Sequence, residues 1–181
     1  FFQAQGAICS NFELTLPEFM QDFCGRPLRR NVAYCNERFQ LPWGFEEAVE
    51  EVLRIEKQIL DEGVDVMPGA RELLEFLKEK DYKTAVASSS ARERSMGLLE
   101  KHDLVKYFDD FVFGPEVERG KPNPDIFLKA AEKVGIAPEN CLVLEDSQAG
   151  IQAGYTAGMY VICIPDLKYP TEEYVEMATA V

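Results

Sequence analysis

Three short segments of this chain carry side chains that could together bind a phosphate and a divalent cation. They contain Ser88, Lys121 and the adjacent acids Glu145 and Asp146. A hydroxyl and an ammonium donate hydrogen bonds to phosphate oxygens, and carboxylates are common protein ligands of Mg²⁺. The residue types therefore favour chemistry on a phosphorylated compound.

The acid pair follows the apolar run of residues 142–144. Mg²⁺ is usually held by one or two protein carboxylates together with water and phosphate oxygens, so this pair could supply the protein's share of the ligands. The alternative interpretation is that Glu145 or Asp146 caps the helix that follows, because aspartate is a good N-cap residue. The pair alone leaves both interpretations open, and the other two segments favour metal binding.

Three consecutive serines follow the apolar residues 84–87. We expect Ser88 to bind a phosphate oxygen, Ser89 to supply a backbone donor, and Ser90 to cap the next helix in a capping box with Glu93. The alternative is that all three serve only as turn and cap residues.

Lys121 lies in the segment Gly120-Lys121-Pro122-Asn123-Pro124. The two prolines stiffen this loop, so the ammonium should be presented from a fixed backbone position. From there it could neutralise phosphate charge, or bridge a phosphate and an acid.

The elements that position these residues alternate between strands and helices from Met67 onward. Strands are predicted over residues 84–87, 111–113, 141–144 and 160–164, and helices over residues 70–80, 90–102, 125–134 and 148–157. This alternation is typical of βαβ units with a parallel sheet, so the predicted fold class is α/β. Because ligands of such sheets bind outside the carboxyl ends of the strands, the three segments should converge on one crevice.

Residues 1–66 show no strand pattern and predict a small helical domain ahead of the α/β domain of residues 67–181. Thr15 and Glu18 have the spacing of a capping box, which marks the start of a helix. A later helix of this half should end at Gly63.

Composition excludes several classes of function. The net charge of −13 argues against a nucleic-acid-binding protein, which needs a basic surface. Five cysteines without a CxxC pair, and a single histidine, provide no zinc constellation. The apolar runs are shorter than the roughly 20 residues of a membrane-spanning helix. We expect a soluble cytoplasmic protein with reduced thiols.

Three motifs resemble those of the haloacid dehalogenase superfamily. Ser88 matches its second motif, Lys121 in GKPNPDIF matches the third, and LEDSQAGIQA at residues 144–153 matches the fourth. The sequence is most similar to the branch that holds β-phosphoglucomutase and sugar-phosphate phosphatases, most clearly over residues 64–165. The resemblance implies a Rossmann-like core with a helical cap, Mg²⁺ as the cofactor and an aspartyl-phosphate intermediate.

The resemblance also implies a role for each matching residue. Ser88 would bind the transferring phosphoryl group, and Lys121 would stabilise that group and orient the nucleophile. Glu145 and Asp146 would bind or position Mg²⁺, with Asp146 as the direct ligand. Phosphoryl transfer is catalysed mainly by positioning and charge neutralisation, so these roles agree with the residue types.

The family's first motif, Asp-x-Asp-Gly-Thr, has no match in this chain. In the family it supplies the nucleophile, the general acid/base and a metal ligand. We therefore expect the 181 residues to belong to a longer enzyme whose nucleophilic aspartate precedes Phe1. Taken alone, the chain should be inactive and should lack the central strand of the sheet.

The helical half contains one basic cluster, Arg26, Arg29 and Arg30. In the related branch, cap residues of this kind contact the part of the substrate that is not transferred, and we assign substrate binding to Arg26. Arginine suits bidentate contacts to phosphate or carboxylate. The alternative is a salt-bridged helix face, because acidic residues are frequent nearby.

The predicted function is that of a Mg²⁺-dependent phosphatase or phosphomutase acting on small phosphorylated metabolites such as sugar phosphates. We expect a monomer without nucleic-acid or membrane partners. One alternative is a non-catalytic phosphate- or metabolite-binding domain, suggested by the missing nucleophile. Another is a 2-haloacid dehalogenase, although displacement of halide without a metal has no use for the acid pair.

Overall fold

The computed structural model describes a large part of the chain: residues 15, 18, 19, 23, 28–39, 41–166 and 168–181. The chain divides into two compact units, residues 1–65 and residues 66–181. Each unit has a hydrophobic core of its own.

The first unit is helical in its described residues, with α1 over Leu28–Phe39 and α2 over Phe45–Glu62. The two helices share a core of buried side chains: Val32, Ala48, Val49 and Val52. Gly63 follows the last turn of α2 with φ at +119°, a conformation that favours glycine. The capping box predicted at Thr15 is confirmed. The backbone N–H of Thr15 donates to Glu18 Oε2 at 2.9 Å, and that of Glu18 donates to Thr15 Oγ1 at 3.4 Å.

The second unit alternates strands and helices. The strands are β1 (Ala85–Ser88), β2 (Asp110–Phe113), β3 (Leu142–Glu145) and β4 (Tyr160–Cys163). The helices are α3 (Ala70–Glu79), α4 (Arg92–Lys101), α5 (Asp125–Val134), α6 (Gln148–Thr156) and α7 (Glu172–Met177). The predicted α/β class is confirmed, and each predicted strand agrees with the observed one to within a residue at either end. None of the described helices combines the length and apolar character needed to cross a membrane.

All four strands pair in parallel, β1 with β2 and β3 with β4. Ser88 is in register with Phe113, and Glu145 with Cys163, so the polar residues stand at the carboxyl ends of their strands. Among the described residues the strands form two separate pairs. This arrangement agrees with the expectation that the chain taken alone lacks the central strand of the sheet.

The core of the second unit is formed by the strands together with α5 and α6. Its centre consists of side chains without exposed surface: Val112, Ile126, Ile151 and Val161. Burial of each such side chain contributes about 1.5–3 kcal/mol. α6 packs closely on the sheet at Gly154, where a Cβ atom would come within 2.7 Å of Val161 Cγ2. This packing sets the last turns of α6 against β3 and β4.

The described cysteines Cys35, Cys141 and Cys163 are free thiols, as predicted, while Cys9 and Cys24 lie outside the described residues. Cys163 ends β4 and is 2% exposed. Burial raises the pKa of the Cys163 thiol, and the charges of Asp146 and Glu145 raise it further. The group is therefore a protonated thiol at neutral pH and packs as a small apolar side chain.

The helix cap predicted at Ser90 is wrong. α4 begins at Arg92, and its N-cap residue is Ala91, which has no side-chain acceptor. The backbone N–H of Ser90 donates instead to Ser88 Oγ at 3.2 Å. Because the serine turn closes on itself in this way, the helix starts one residue later than the pattern indicates.

Asp109 ties the start of β1 to the start of β2. Its Oδ2 accepts a hydrogen bond from the Thr84 backbone N–H at 2.9 Å, and its Oδ1 accepts one from Lys83 Nζ at 2.9 Å. The hydrogen bond from Lys83, followed by the one from Thr84, lowers the pKa of Asp109 below its ordinary value of 3.8. The charged form is thus favoured by folding, and its contribution to stability is lost as the pH falls through the folded-state pKa.

Asp109→Asn should therefore lower the melting temperature at neutral pH and lower it much less in strong acid, where the wild-type carboxyl is also neutral. Thermal unfolding of both proteins at neutral pH and at about pH 2 checks this result. A difference in melting temperature that stays constant across this range would contradict the assignment.

Candidate active site

All but one of the predicted site residues line a single cleft in the second unit. The cleft has a volume of about 340 Å³ and is bounded by the serine turn after β1, the Lys121 loop and the end of β3. Its lining includes Ser88, Ser89, Lys121, Glu145 and Asp146. The remaining predicted residue, Arg26, lies outside the described residues. The convergence is the one expected at the carboxyl ends of parallel strands.

Ser88 presents its hydroxyl at the end of β1. Its Oγ accepts hydrogen bonds from the backbone N–H of Ser90 at 3.2 Å and from Ser95 Oγ at 3.4 Å. With both acceptor positions occupied, the hydroxyl proton of Ser88 is available to donate elsewhere. Ser95 is not predicted from the sequence, because it lies seven residues from Ser88, across a turn and in the next helix, and no sequence pattern links the two.

The serine turn lies directly against the residue that follows β2. A Cβ atom on Gly114 would come within 2.4 Å of the Ser89 carbonyl oxygen, so no side chain fits there. The close backbone approach holds the turn after β1 against the end of the neighbouring strand.

The ammonium of Lys121 is held from three directions. Nζ donates hydrogen bonds to the Glu145 carboxylate and, at 3.3 Å, to the Ala87 carbonyl oxygen. It also lies 4.7 Å from the centre of the Phe127 ring, within range of a cation–π contact. The Lys121 side chain is 11% exposed, so a single position at the edge of the cleft is well defined.

The loop that carries Lys121 is tied to the start of α5. Arg119 donates two hydrogen bonds to the carboxylate of Asp125, at 3.0 and 2.8 Å. Asn123 closes the turn by donating to the Gly120 carbonyl oxygen from its backbone N–H at 3.0 Å and from its side chain at 3.1 Å. These bonds, with the two prolines, give the rigid presentation that the sequence predicts.

Both oxygens of the Glu145 carboxylate are engaged within the protein. One accepts from Lys121, and the other accepts from the backbone N–H groups of Asp146 at 2.9 Å and Ser147 at 2.8 Å and from Ser147 Oγ at 2.9 Å. Burial by itself raises the pKa of Glu145, but the charge and hydrogen bond of Lys121, with the Ser147 donors, lower it below its ordinary value. Glu145 is therefore an anion at neutral pH that faces Lys121 and the start of α6.

Asp146 places a second carboxyl group on the same cleft. Desolvation, followed by the charge of Glu145, raises the pKa of Asp146 above its ordinary value. A cation beside Asp146 would relieve this repulsion. In the described ranges, no three side chains of His, Cys, Asp or Glu come together as a metal site. A Mg²⁺ ion bound through Asp146 would thus take its other ligands from water, from phosphate oxygens and from the first motif that the family resemblance implies.

The start of α6 is capped by Ser147 and not by the acid pair, which corrects the alternative interpretation of Glu145 and Asp146. Ser147 Oγ accepts a hydrogen bond from the backbone N–H of Gly150 at 3.0 Å. With Ser147 as the cap, the Asp146 carboxylate is not needed at the helix start and lines the cleft. The sequence analysis identified neither Ser147 nor Gly150 as part of the site.

The basic cluster of the first unit is described at Arg29 and Arg30. Arg29 donates to the Glu46 carboxylate, with Nη1 to Oε2 at 2.9 Å, and its guanidinium lies 4.8 Å from the centre of the Phe45 ring. Arg29 thus takes part in a salt-bridged helix face, the alternative that the composition left open. Substrate binding by Arg26 stays a prediction.

The fold and the cleft together define a protein of the haloacid dehalogenase type, with a hydroxyl, a lysine and two carboxylates at the ends of parallel strands. Residues 4–164 match the family of haloacid dehalogenase-like hydrolases. The chain belongs to this family.

Relatives within the family include phosphatases and mutases of sugar phosphates. The chain is 36% identical over 135 residues to a phosphorylated carbohydrates phosphatase of Thermotoga maritima, covering 75% of this chain and 62% of that protein. It is 37% identical over 98 residues to the β-phosphoglucomutase of Bacillus subtilis, covering 54% of this chain and 42% of the relative. A crystal structure from Thermotoga maritima, assigned as a β-phosphoglucomutase, superimposes with a TM-score of 0.85 at 30% identity over 99% of this chain and 84% of that one.

Proposed function

We propose that the protein carrying this chain is a Mg²⁺-dependent phosphatase that acts on small phosphorylated metabolites, above all sugar phosphates. The observation that carries the proposal is the Lys121 ammonium, fixed at the edge of a cleft that it shares with Ser88 and two carboxylates. The names of the relatives in Thermotoga maritima and Bacillus subtilis support phosphorylated sugars as the substrate class.

Each cleft residue has a defined task in this proposal. The Ser88 hydroxyl donates to one oxygen of the transferring phosphoryl group, and the Lys121 ammonium donates to another. Because both donors are positioned before the substrate arrives, little reorganisation is needed as negative charge shifts in the transition state. Glu145 keeps the Lys121 ammonium in place.

Asp146 is the residue proposed to hold Mg²⁺, since the Glu145 oxygens are committed to other donors. When bound, Mg²⁺ neutralises negative charge on the phosphoryl group. Asp146 contributes the hard carboxylate oxygen that this ion prefers.

The nucleophile is proposed to be an aspartate upstream of Phe1, in the first motif of the family. Its carboxylate oxygen would bond to phosphorus as the bond to the sugar oxygen breaks, and the leaving oxygen would take up a proton. Water would then cleave the aspartyl-phosphate, releasing inorganic phosphate and restoring the carboxylate. The cleft residues would stabilise the phosphoryl group in both steps.

One observation favours a second candidate, a site that binds phosphate without turning it over. The carboxylates among the described cleft residues are Glu145 and Asp146, and Glu145 is engaged by Lys121. Glu145 is therefore not free to act as a nucleophile in the described arrangement, and Asp146 is the proposed Mg²⁺ ligand. A measurement of turnover therefore distinguishes the two candidates.

The test uses the protein with its natural upstream sequence and a panel of hexose and pentose phosphates, assayed with Mg²⁺ and with a chelator. Release of inorganic phosphate that requires Mg²⁺ is the expected result. Isomerisation of a hexose phosphate without phosphate release would identify a mutase. Calorimetric binding of inorganic phosphate without turnover of any substrate would favour the binding site and overturn the proposal.

A further inference from the structure

Gly150, in the first turn of α6, occupies a position where no side chain fits. A Cβ atom there would come within 1.9 Å of Glu145 Cδ and 2.1 Å of Glu145 Oε1. The backbone of Gly150 does not have a positive φ, so the conformation itself does not call for glycine. The constraint comes from the Glu145 carboxylate, which rests against the helix where a side chain would otherwise be.

The carboxylate is held in that place by the helix start. Ser147 Oγ donates to Glu145 Oε2 at 2.9 Å and accepts from the Gly150 backbone N–H at 3.0 Å, so one hydroxyl links the cap of α6 to the acid. Glu145 is 8% exposed at its side chain. A buried carboxylate with this many donors has little freedom to move while the helix start is intact.

The position of the carboxylate in turn decides the position of Lys121. The other groups on the ammonium are the Ala87 carbonyl oxygen at 3.3 Å, a long hydrogen bond, and the Phe127 ring. Glu145 is the anionic partner among these three, and a charge-assisted bond is roughly twice as strong as a neutral one. A displaced carboxylate would therefore draw the ammonium with it or release it.

We propose that Gly150 is a positioning residue for Lys121, acting through Glu145; this inference rests on the proposed function of the cleft. The missing side chain at Gly150 lets the carboxylate lie against α6 at the depth where it holds the ammonium beside Ser88. Gly150 itself touches neither the lysine nor the phosphate.

The test is a double-mutant cycle in the protein with its natural upstream sequence, using Gly150→Ala, Glu145→Ala and the double variant. Gly150→Ala should lower kcat by about 10- to 100-fold, because a displacement of about 1 Å at a reacting group can cost that much. The double variant should match Glu145→Ala to within about twofold, since no carboxylate then meets the added methyl group. If the loss of kcat in the double variant equals the product of the losses in the two single variants, the two residues act independently and the proposal is wrong.

A second readout does not depend on turnover. The NMR signal of the Lys121 Cε methylene, assigned by its loss in Lys121→Met, should shift in Gly150→Ala, and in the double variant it should coincide with the signal of Glu145→Ala alone. An unmoved signal in Gly150→Ala would overturn the inference. If the wild type turns over no sugar phosphate, the proposed function fails and this signal alone decides the role of Gly150.

Two glycines provide matched controls. Gly97 lies in α4 with no atom within 4 Å of an added Cβ, so Gly97→Ala should leave both kcat and the Lys121 signal unchanged. Gly154 lies in the same helix as Gly150 but faces Val161, so Gly154→Ala should lower the melting temperature without moving the signal.

Loss of folding is also informative. If Gly150→Ala does not fold but the double variant with Glu145→Ala does, the clash is with the carboxylate, as proposed. If Glu145→Ala folds and the double variant does not, Gly150 is needed for another reason and the proposal is wrong.

Discussion

Replacing Lys121 with alanine should lower kcat for the best sugar phosphate by about 10³-fold, at the upper end of what the loss of one positioned donor costs. The reason is that the ammonium is a buried, preorganised charge at the cleft, and no other described lysine lines that cleft. Steady-state phosphate release, with circular dichroism to verify folding, measures the effect. Lys106→Ala is the control, because Lys106 pairs with Asp103 on the surface and should leave kcat unchanged.

Lys121→Ala should also lower the melting temperature, because Glu145 loses its cation while it stays buried. Adding Glu145→Gln should recover part of this stability, since a neutral amide tolerates burial better than an unpaired carboxylate. It should not recover kcat. A Lys121→Ala variant within tenfold of wild-type kcat would show that the ammonium does not stabilise the transferring group.

Replacing Asp146 with asparagine should have two opposite effects. Turnover should fall by about 10²- to 10³-fold, because the proposed metal ligand is lost at the cleft. Stability without Mg²⁺ should rise, because the substitution removes a negative charge next to Glu145, whose repulsion already raises the pKa of Asp146. Melting temperatures with and without Mg²⁺ measure the second effect, and the increase caused by Mg²⁺ should disappear in the variant.

The matched control is Asp61→Asn. Asp61 forms an exposed ion pair with Lys57 at 2.6 Å on α2, so its loss should change neither turnover nor the response to Mg²⁺. An Asp146→Asn protein that melts at a lower temperature and still responds to Mg²⁺ would assign Asp146 a structural role.

Local patterns were sufficient to predict where the four described strands lie and that polar residues end two of them. Short apolar runs that end at Ser88 and Glu145 identify β1 and β3, because an apolar run bounded by polar residues is typical of a strand in a parallel sheet. The capping box predicted at Ser90 is wrong: the Ser90 backbone N–H, from which Glu93 would accept a hydrogen bond in such a box, donates to Ser88 Oγ instead. A capping pattern in the sequence specifies side chains only, and it does not show which backbone N–H groups already donate hydrogen bonds elsewhere.

The division of work within the acid pair could not be predicted from the sequence. Adjacent acids are equivalent in a pattern, and the difference between them arises from Lys121, which is 24 residues away from Glu145 and reaches only one of the two. The role of Gly150 has the same origin. A glycine near a helix start is usually explained by its backbone conformation. Here the Glu145 side chain, from the preceding strand, occupies the space that a side chain at Gly150 would need.

Cys163, the buried thiol at the end of β4, can report local opening of the folded protein. Cys163 is 2% exposed and in register with Glu145, so an alkylating reagent can reach its sulfur only when the packing around the end of β4 opens. With the other thiols replaced, the alkylation rate would count these opening events in the native protein. A ligand that binds only the closed form would lower the population of the open form, and the alkylation rate of Cys163 would fall by the same factor. Ligand binding could therefore be measured without any turnover.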